Sequence, residues 1–331
     1  MEQLLNNNFW RERRVFVTGC TGLLGSWLTA ELLKLGADIT GLIRDRIPQS
    51  ELFRSGNIER IKAVYGDICD YDLLERTIAE YEIEIVFHLA SQSVVGIGNR
   101  APMSTFEANI RGTYMLLEAA RRNPTIKGII LASSLKVYGE HPELLPYTEE
   151  TPLRGMTPYD VSKSCADLLC QGYAYTYDLP VVITRCANLY GGGDLNWNRI
   201  LPGTIRSVLH GDRPIIRSDG TFKRDYLYVQ DAIRGYLMAA ERCEDPAMWG
   251  EAFNFGMGEP VTALDLVKTV ISVSDYPEIE PIILDEVKKE IQDQYLASDK
   301  AKAILGWEPQ FSLSEGLAET IEWYRVFLAE M

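Results

Sequence analysis

Three polar residues of types that move protons are spaced for joint action. Tyr159 and Lys163 stand four positions apart in the segment YDVSK, and Ser134 precedes them in SSLKVYG. Positions i and i+4 of a helix share one face, so the Lys163 ammonium is expected to lower the pKa of the Tyr159 phenol toward a useful acid–base range. Ser134 would hydrogen-bond the same substrate hydroxyl. This set predicts proton transfer at a hydroxyl that loses hydride to a nicotinamide.

A glycine-rich loop supplies the matching cofactor prediction. In VFVTGCTGLLGSWL, Gly19, Gly22 and Gly25 follow an apolar run and open an amphipathic stretch. Gly19 suits a tight turn, Gly22 lets backbone approach a pyrophosphate, and Gly25 allows close helix packing. The predicted phosphate loop comprises Gly19, Gly22, Leu23, Leu24 and Gly25.

Polar residues after the next strands extend this predicted cofactor site. Arg44 and Asp45 follow the second strand and give conflicting signals, because a carboxylate suits the ribose hydroxyls of NAD and an arginine suits the 2′-phosphate of NADP. NAD is the predicted cofactor, with NADP left open. Further predicted contacts follow the third and fourth strands: Asp67, Ile68, Leu89, Ala90, Ser91 and Gln92. Tyr159 and Lys163 are also predicted to contact the cofactor.

Apolar runs alternating with helical patterns must position these residues. The pattern predicts an α/β fold with a doubly wound parallel sheet of the Rossmann type and a smaller C-terminal α/β substrate lobe. The expected domains are residues 1–187 for the dinucleotide and 188–331 mainly for the substrate. The predicted strands are Val15–Thr18, Ile39–Ile43, Ala63–Tyr65, Ile85–Leu89, Gly128–Ala132 and Val181–Arg185. The predicted helices are Leu24–Leu35, Leu73–Tyr81, Phe106–Ala120, Tyr159–Tyr177 and Leu313–Ala329.

Composition narrows the possible partners. The 331 residues carry a net charge of −14, with 33 basic and 47 acidic side chains, which argues against nucleic-acid binding. The N-terminal segment does not resemble a signal peptide, and no apolar run is long enough to cross a bilayer, so we expect a cytoplasmic protein without a membrane partner. The six cysteines and three histidines show no metal-ligand spacing, and no metal is predicted.

Motifs along the chain resemble a known family. TGCTGLLG, HLAS, SSLKVYG, YDVSK and CANLYGGG together resemble the extended short-chain dehydrogenase/reductases, in particular the nucleotide-sugar epimerases and dehydratases. NLYGGGDLNWNRILP and YLASDKAKAILGWEP are most similar to CDP-glucose 4,6-dehydratases. The resemblance implies an NAD-dependent lyase that transiently oxidises C4 of a nucleotide-linked hexose such as CDP-glucose.

The resemblance also implies substrate contacts and an assembly. Asn188, Arg199 and Arg224 would bind the nucleotide diphosphate, with Arg217 nearby. Arginine suits this role because its planar guanidinium makes several charge-assisted hydrogen bonds. Trp197 and Tyr226 could cover the nucleotide base or pack within the protein. Related proteins commonly dimerise through helices equivalent to Phe106–Ala120 and Tyr159–Tyr177, so we expect a homodimer.

One position departs from the dehydratase pattern. The resemblance leads one to expect an aspartate after the catalytic serine, where it protonates the departing C6 hydroxyl, but this chain has Leu135. Lys136 follows and could act as the C5 base or as a substitute acid. Leu135 instead favours the alternative of an NAD-dependent 4-epimerase, which needs no such acid. A non-catalytic redox sensor or scaffold and a simple NADP-dependent reductase are two further alternatives.

Overall fold

A seven-stranded parallel sheet organises the computed structural model, which describes residues 5–286 and 291–330. The strand order is β11-β6-β5-β4-β1-β2-β3, with the strands numbered along the chain. These strands are β1 (Arg14–Thr18), β2 (Asp38–Ile43), β3 (Lys62–Tyr65), β4 (Ile85–His88), β5 (Gly128–Ala132), β6 (Val181–Cys186) and β11 (Ala252–Phe255). Shorter strands pair outside this sheet: β7 (Asn188–Tyr190), β8 (Ile215–Ile216), β9 (Lys223–Arg224), β10 (Tyr226–Tyr228), β12 (Val261–Thr262), β13 (Ile282–Ile283) and β14 (Asp293–Gln294).

Helices pack around the sheet and also alternate with the short strands in the second half of the chain, the second lobe. They are α1 (Asn7–Trp10), α2 (Leu23–Lys34), α3 (Glu51–Arg54), α4 (Tyr71–Glu80), α5 (Val95–Arg100), α6 (Pro102–Phe106), α7 (Gly112–Arg121), α8 (Pro158–Tyr177), α9 (Ile200–Leu209), α10 (Val229–Glu241), α11 (Ala263–Ser272) and α12 (Leu313–Ala329). In the described part of the chain, no helix is both long and apolar enough to cross a membrane.

Alternating side chains of the central strands build two cores, one on each face of the sheet. Val15 and Val17 belong to the larger core, whereas Phe16 between them belongs to the smaller one. Ile130 and its neighbour Ile129 divide in the same way. Successive strand residues point to opposite faces, and a parallel sheet covered on both faces needs apolar residues at nearly every position. This explains why the central strands are mainly apolar, and the predicted Rossmann-type fold is confirmed.

The structure corrects two predicted elements. Phe106–Ala120 is not one regular helix, because Glu107–Arg111 forms a π-helical turn between α6 and α7. The seventh strand, β11, was missed in the sequence. It pairs with β6 although it lies in the second half of the chain. The predicted domain boundary at residue 188 stays a prediction. β11 lies beyond that boundary and yet forms the edge strand of the large sheet.

Candidate active site

The site lies where the order of the central strands reverses. β1 pairs with β2 on one side and with β4 on the other, and Thr18 is opposite His88 in the latter pair. Connections from β1 and β4 leave in opposite directions at this point, which opens a crevice at the carboxyl ends of the strands. Gly19 follows β1, and Leu89 follows β4, so both predicted cofactor loops border the same crevice.

The backbone explains the two outer glycines of the phosphate loop. Gly19 has φ +72°, and an added Cβ would lie 2.8 Å from the Ala90 nitrogen. An added Cβ on Gly25 would lie 2.1 Å from the Gly19 oxygen. A side chain at either position would therefore collide with backbone, which confines both positions to glycine.

The middle glycine leaves room for a ligand. Among the described atoms, only the Gly19 oxygen, at 3.4 Å, comes within 4 Å of a Cβ added to Gly22. Gly22 is the N-cap of α2, and no side chain of the described residues caps that helix. The first-turn amides of Leu23 and Leu24 are thus available to an anion, and the helix dipole favours one. The loop fits the pyrophosphate of a dinucleotide.

The other predicted cofactor residues border the carboxyl edge of the sheet. Arg44 and Asp45 form an exposed ion pair of 2.7 Å beyond β2. Because the two charges offset each other, this pair by itself favours neither NAD nor NADP. Asp67 accepts a hydrogen bond from the Cys69 amide, and Ile68 is buried. The amides of Leu89 and Ala90 are held by the Thr18 hydroxyl. Ser91 and Gln92 follow as half-buried residues.

Ser134, Tyr159 and Lys163 meet at the end of β5. Tyr159 and Lys163 occupy the first turns of α8, which begins with a Pro158 at N1 and a capping box between Thr157 and Asp160. The Ser134 side chain lies close enough to the Tyr159 hydroxyl to influence the pKa of the phenol. The Lys163 Nζ donates to the carbonyl oxygen of Ala132, the last residue of β5, over 2.7 Å.

The electrostatics differ from the expectation for Tyr159. Burial raises the pKa of the Tyr159 phenol, while the Arg199 charge and the nearby Ser134 hydroxyl lower it by less. The expected lowering by Lys163 is therefore wrong for this structure, because desolvation is the largest influence and the ammonium is bound to the Ala132 carbonyl. Burial also lowers the pKa of Lys163 to about 8.

A buried ion pair beneath the loop after β5 escaped the sequence analysis. Asp167 on α8 and Arg185 on β6 form a bidentate pair with two contacts of 2.9 Å. Asp167 also accepts a 2.7 Å hydrogen bond from Ser133, the neighbour of Ser134. Arg185 also donates to the Tyr138 hydroxyl at 3.1 Å. Bidentate contacts fix orientation as well as distance, so the pair holds the loop after β5 against α8.

The residues after Ser134 point in different directions. Leu135 is only 1% exposed and packs in the larger core. Lys136 reaches the second lobe, where its Nζ lies 2.5 Å from the side-chain oxygen of Gln294 on β14. The Gln294 amide nitrogen donates to the Gly139 oxygen at 2.9 Å, so a buried glutamine orients Lys136. Nothing in the local sequence pattern singled out Gln294.

The predicted substrate residues occupy the neighbouring lobe, at differing depths. Arg224 is 8% exposed and donates to the carbonyl oxygens of Ile291 and Gln292. Asn188 Nδ2 donates to the backbone carbonyl oxygen of Asp225, the residue that follows Arg224. Arg199 precedes α9, pairs with Asp194 at 2.9 Å, and is close enough to affect the Tyr159 pKa. Arg217 is exposed.

The two aromatic candidates lie in different settings. Trp197 packs against Tyr324 and Phe327 of α12, with ring centroids 5.6 and 6.2 Å apart, and Arg206 lies over its ring. These contacts favour the alternative that Trp197 packs within the protein over the alternative that it covers the nucleotide base. Tyr226 begins β10, which pairs with β7, and is half-buried. Within the described residues, no group of three or more His, Cys, Asp or Glu could hold a metal ion.

Comparisons with known proteins agree with this arrangement. The family model for the NAD dependent epimerase/dehydratase family matches residues 15–256. The chain is 31% identical to a CDP-glucose 4,6-dehydratase of Salmonella typhimurium, covering 98% of this chain and 94% of that protein. It is also 31% identical to a UDP-glucose 4-epimerase of Mycolicibacterium smegmatis, covering 94% and 98%.

Solved structures show the same similarity. A UDP-glucose 4-epimerase of Thermotoga maritima, solved with UDP-glucose, superposes with a TM-score of 0.86 at 30% identity, covering 95% of this chain and 99% of that one. A dTDP-glucose 4,6-dehydratase of Bacillus anthracis in complex with NAD gives 0.81 at 27% identity, covering 95% and 97%.

The chain belongs to the NAD-dependent epimerase/dehydratase family. Membership confirms the predicted family and the predicted NAD cofactor. When bound, NAD supplies a reversible hydride acceptor, and the open Gly22 backbone and uncapped α2 are the parts of this chain that fit its pyrophosphate.

Proposed function

We propose that this chain oxidises C4 of a nucleotide-linked hexose and reduces the sugar again within the same turnover. The observation that carries the proposal is the meeting of Ser134, Tyr159 and Lys163 beside the crevice bordered by the phosphate loop. Tyr159 takes the proton of the C4 hydroxyl, and Ser134 orients that hydroxyl by a hydrogen bond. Lys163 ties the first turns of α8 to the end of β5 through its hydrogen bond to the Ala132 carbonyl oxygen, which holds Tyr159 beside Ser134.

Dehydration between C5 and C6 is the reaction we propose to follow. A 4-keto group makes the C5 hydrogen acidic, so one base at C5 and one acid at the C6 hydroxyl complete the loss of water. We assign both proton transfers to Lys136, whose Nζ is positioned by Gln294: the neutral amine takes the C5 proton, and the resulting ammonium gives a proton to the C6 hydroxyl, which leaves as water. The similarity to a CDP-glucose 4,6-dehydratase over 98% of the chain supports CDP-glucose as the substrate to test first.

A 4-epimerase is the second candidate, and Leu135 favours it. The leucine replaces the acid expected of a dehydratase and is buried in the larger core. Epimerisation needs Ser134, Tyr159 and Lys163, but neither an acid at C6 nor a base at C5. The similarity to UDP-glucose 4-epimerases at 30–31% identity supports this candidate as well.

The proposed substrate anchors belong to the second lobe. Asn188, Arg199, Arg217 and Arg224 are proposed to bind the diphosphate. Among them, Arg224 has the most constrained guanidinium, because neighbouring carbonyls already orient it. An oriented arginine loses less side-chain entropy when it binds phosphate, which favours affinity.

Product analysis tests these proposals directly. Purified enzyme is incubated separately with CDP-glucose, UDP-glucose, GDP-mannose and UDP-glucuronate, and the products are identified by mass spectrometry and NMR. Dehydration lowers the substrate mass by one water, whereas epimerisation changes the stereochemistry at C4 and leaves the mass unchanged. Lys136→Met should abolish dehydration and spare epimerisation. Sustained oxidation of added NADPH without isomerisation would support the simple reductase, and no turnover of any sugar would support the non-catalytic alternative.

We further propose that two copies of the chain associate through α7 and α8. Val161, Leu168 and Tyr175 recur every seven residues on α8, and the last two are 55% and 93% exposed. Tyr114 of α7 is also exposed. An exposed apolar helix face of this kind is typical of an association surface. Light scattering should give the dimer mass for the wild type and the monomer mass for Leu168→Glu. The cytoplasmic location stays a prediction.

A further inference from the structure

Both ring nitrogens of His88 are engaged below the crevice. His88 ends β4 and is 3% exposed. Its Nδ1 lies 3.0 Å from the Thr18 hydroxyl, and its Nε2 lies 3.0 Å from the Thr113 hydroxyl. One histidine thus bridges the strand that precedes the phosphate loop and the helix α7.

The hydrogen bonds of the two threonines define which nitrogen carries the proton. Thr113 donates its hydroxyl proton to the Asn109 carbonyl oxygen over 2.6 Å, so it accepts from the His88 Nε2–H. Thr18 accepts the amides of Leu89 and Ala90, so its own proton points to Nδ1. A hydroxyl has one proton and two acceptor positions, and the three contacts of the Thr18 hydroxyl use all of them.

The chain of hydrogen bonds continues from Thr113 to the catalytic tyrosine. Asn109 lies in the π-helical turn, where its side chain accepts the Gln92 amide at 2.7 Å and donates to the Ser162 hydroxyl at 2.8 Å. Ser162 donates to the carbonyl oxygen of Tyr159 over 2.7 Å. One connected network therefore joins the loop after β4 to the first turn of α8.

We propose that His88, as the neutral Nε2–H tautomer, is a positioning residue that fixes the loop of Leu89, Ala90 and Gln92 relative to Tyr159. The inference rests on the proposed function in one respect: this loop must face NAD, and Tyr159 must face the C4 hydroxyl of the sugar. A hydride acceptor and a proton acceptor must address the same C4 group, so a small displacement between their supports slows the reaction.

The environment keeps His88 in the state that the network needs. Burial, with a contribution from the Lys163 charge, lowers the pKa of His88 to about 3. A protonated ring would carry a hydrogen on Nδ1 and could not accept the Thr18 hydroxyl proton. The low pKa favours the neutral ring, in which Nδ1 can accept the Thr18 hydroxyl proton.

Histidine NMR provides a test that does not depend on activity. The chain has three histidines, so the ¹⁵N spectrum of labelled protein contains three imidazole systems, and His88→Gln identifies the one that disappears. We expect His88 to show the neutral Nε2–H pattern unchanged from pH 8 to pH 5. A His88 signal that protonates within this range, or that shows the Nδ1–H tautomer, would overturn the proposal.

Three variants test the positioning role. Thr113→Val keeps the side-chain shape and removes the Nε2 acceptor, His88→Asn shortens the side chain, and His88→Gln keeps a donor within reach of Thr113. We expect kcat per bound NAD to fall at least tenfold in Thr113→Val and His88→Asn, with KM for the nucleotide sugar within twofold of wild type. His88→Gln should stay within threefold of wild-type kcat.

A purely structural role would give a different result. Melting temperatures would then fall in all three variants, while kcat per folded, NAD-loaded enzyme would stay at the wild-type value, and this result would refute the positioning role. If the wild type turns over no nucleotide sugar, the proposed function fails but the inference remains testable by NAD binding. In that case a dissociation constant for NAD raised at least fivefold in Thr113→Val supports it, and an unchanged constant overturns it.

Discussion

Lys163 donates a hydrogen bond to the carbonyl oxygen of Ala132 over 2.7 Å, and its side chain is almost completely buried. The contact ties the first turns of α8 to the end of β5, next to Ser134. Burial nevertheless dominates and lowers the pKa of Lys163 to about 8, with weaker opposing effects from Cys170 and Asp167. A buried lysine therefore costs stability at neutral pH, and this cost is expected for a residue retained for chemistry.

Stability should depend on pH through Lys163. The unfolded chain binds a proton at this lysine up to about pH 10.5, whereas the folded protein releases it near pH 8. The unfolded state binds more protons between these values, so stability rises with pH there. Relative to Lys163→Met, the wild type should gain about 2 kcal/mol in the free energy of unfolding between pH 7 and pH 10. Denaturation curves that differ by the same amount at both pH values would contradict this assignment.

Removing the Tyr159 hydroxyl should stop the chemistry and leave the cofactor site intact. Tyr159→Phe keeps the aromatic ring at the start of α8 and leaves the sequence of the phosphate loop unchanged. We expect turnover to fall at least ~100-fold, within the range attributed to general acid–base catalysis, with NAD affinity nearly unchanged. Turnover within threefold of wild type would exclude Tyr159 as the base.

Arg224 and Arg217 form a matched pair for testing the diphosphate site. Arg224 is buried and oriented by backbone carbonyls, whereas Arg217 is exposed. Loss of a charge-assisted hydrogen bond costs about 1.5–3 kcal/mol, so Arg224→Ala should weaken nucleotide-sugar binding at least tenfold. The Arg217→Ala control should have a smaller effect. Calorimetry that gives equal affinities for wild type and Arg224→Ala would remove Arg224 from the site.

Leu135 tests whether a missing acid limits dehydration. Leu135→Asp restores a proton donor beside Ser134, and Leu135→Asn has nearly the same shape without that capacity. We expect water loss to increase in Leu135→Asp, by up to the ~100- to 10,000-fold that general acid catalysis supplies, and not in Leu135→Asn.

The buried position of Leu135 requires a folding control. Leu135 is 1% exposed, so either polar residue lowers stability, and melting temperatures must show that both variants are folded at the assay temperature. If folded Leu135→Asp gains no dehydratase activity, and the wild type inverts C4 without losing water, the epimerase candidate replaces the dehydratase.

The elements that position the site could be predicted because local patterns encode them. β1 has an apolar centre, Val15–Val17, and β5 is apolar throughout, while the predicted α12 has the observed bounds, Leu313–Ala329. The glycine spacing located the phosphate loop for a similar reason, since Gly19 and Gly25 are required by contacts within and beside that loop. Short-range geometry of this kind can be predicted from neighbouring residues alone.

The features of the site that could not be predicted depend on contacts between residues far apart in the sequence. Gln294 reaches Lys136 from the second lobe, and Arg185 reaches Asp167 from a neighbouring strand. Such pairs have no fixed spacing along the chain and depend on packing. The Tyr159 pKa was mispredicted for the same reason, because helix spacing describes the nearness of Lys163 but not the burial of the phenol.

The central claim is that the hydrogen removed from C4 returns to the same sugar. CDP-glucose carrying deuterium at C4 should be incubated with the NAD-loaded enzyme without added reductant, and UDP-glucose labelled in the same way should be run in parallel. We predict that the product keeps the deuterium, at C6 after dehydration or at C4 after epimerisation, and that no free reduced cofactor accumulates. Product without deuterium, or reduced cofactor formed in proportion to product, would contradict the account.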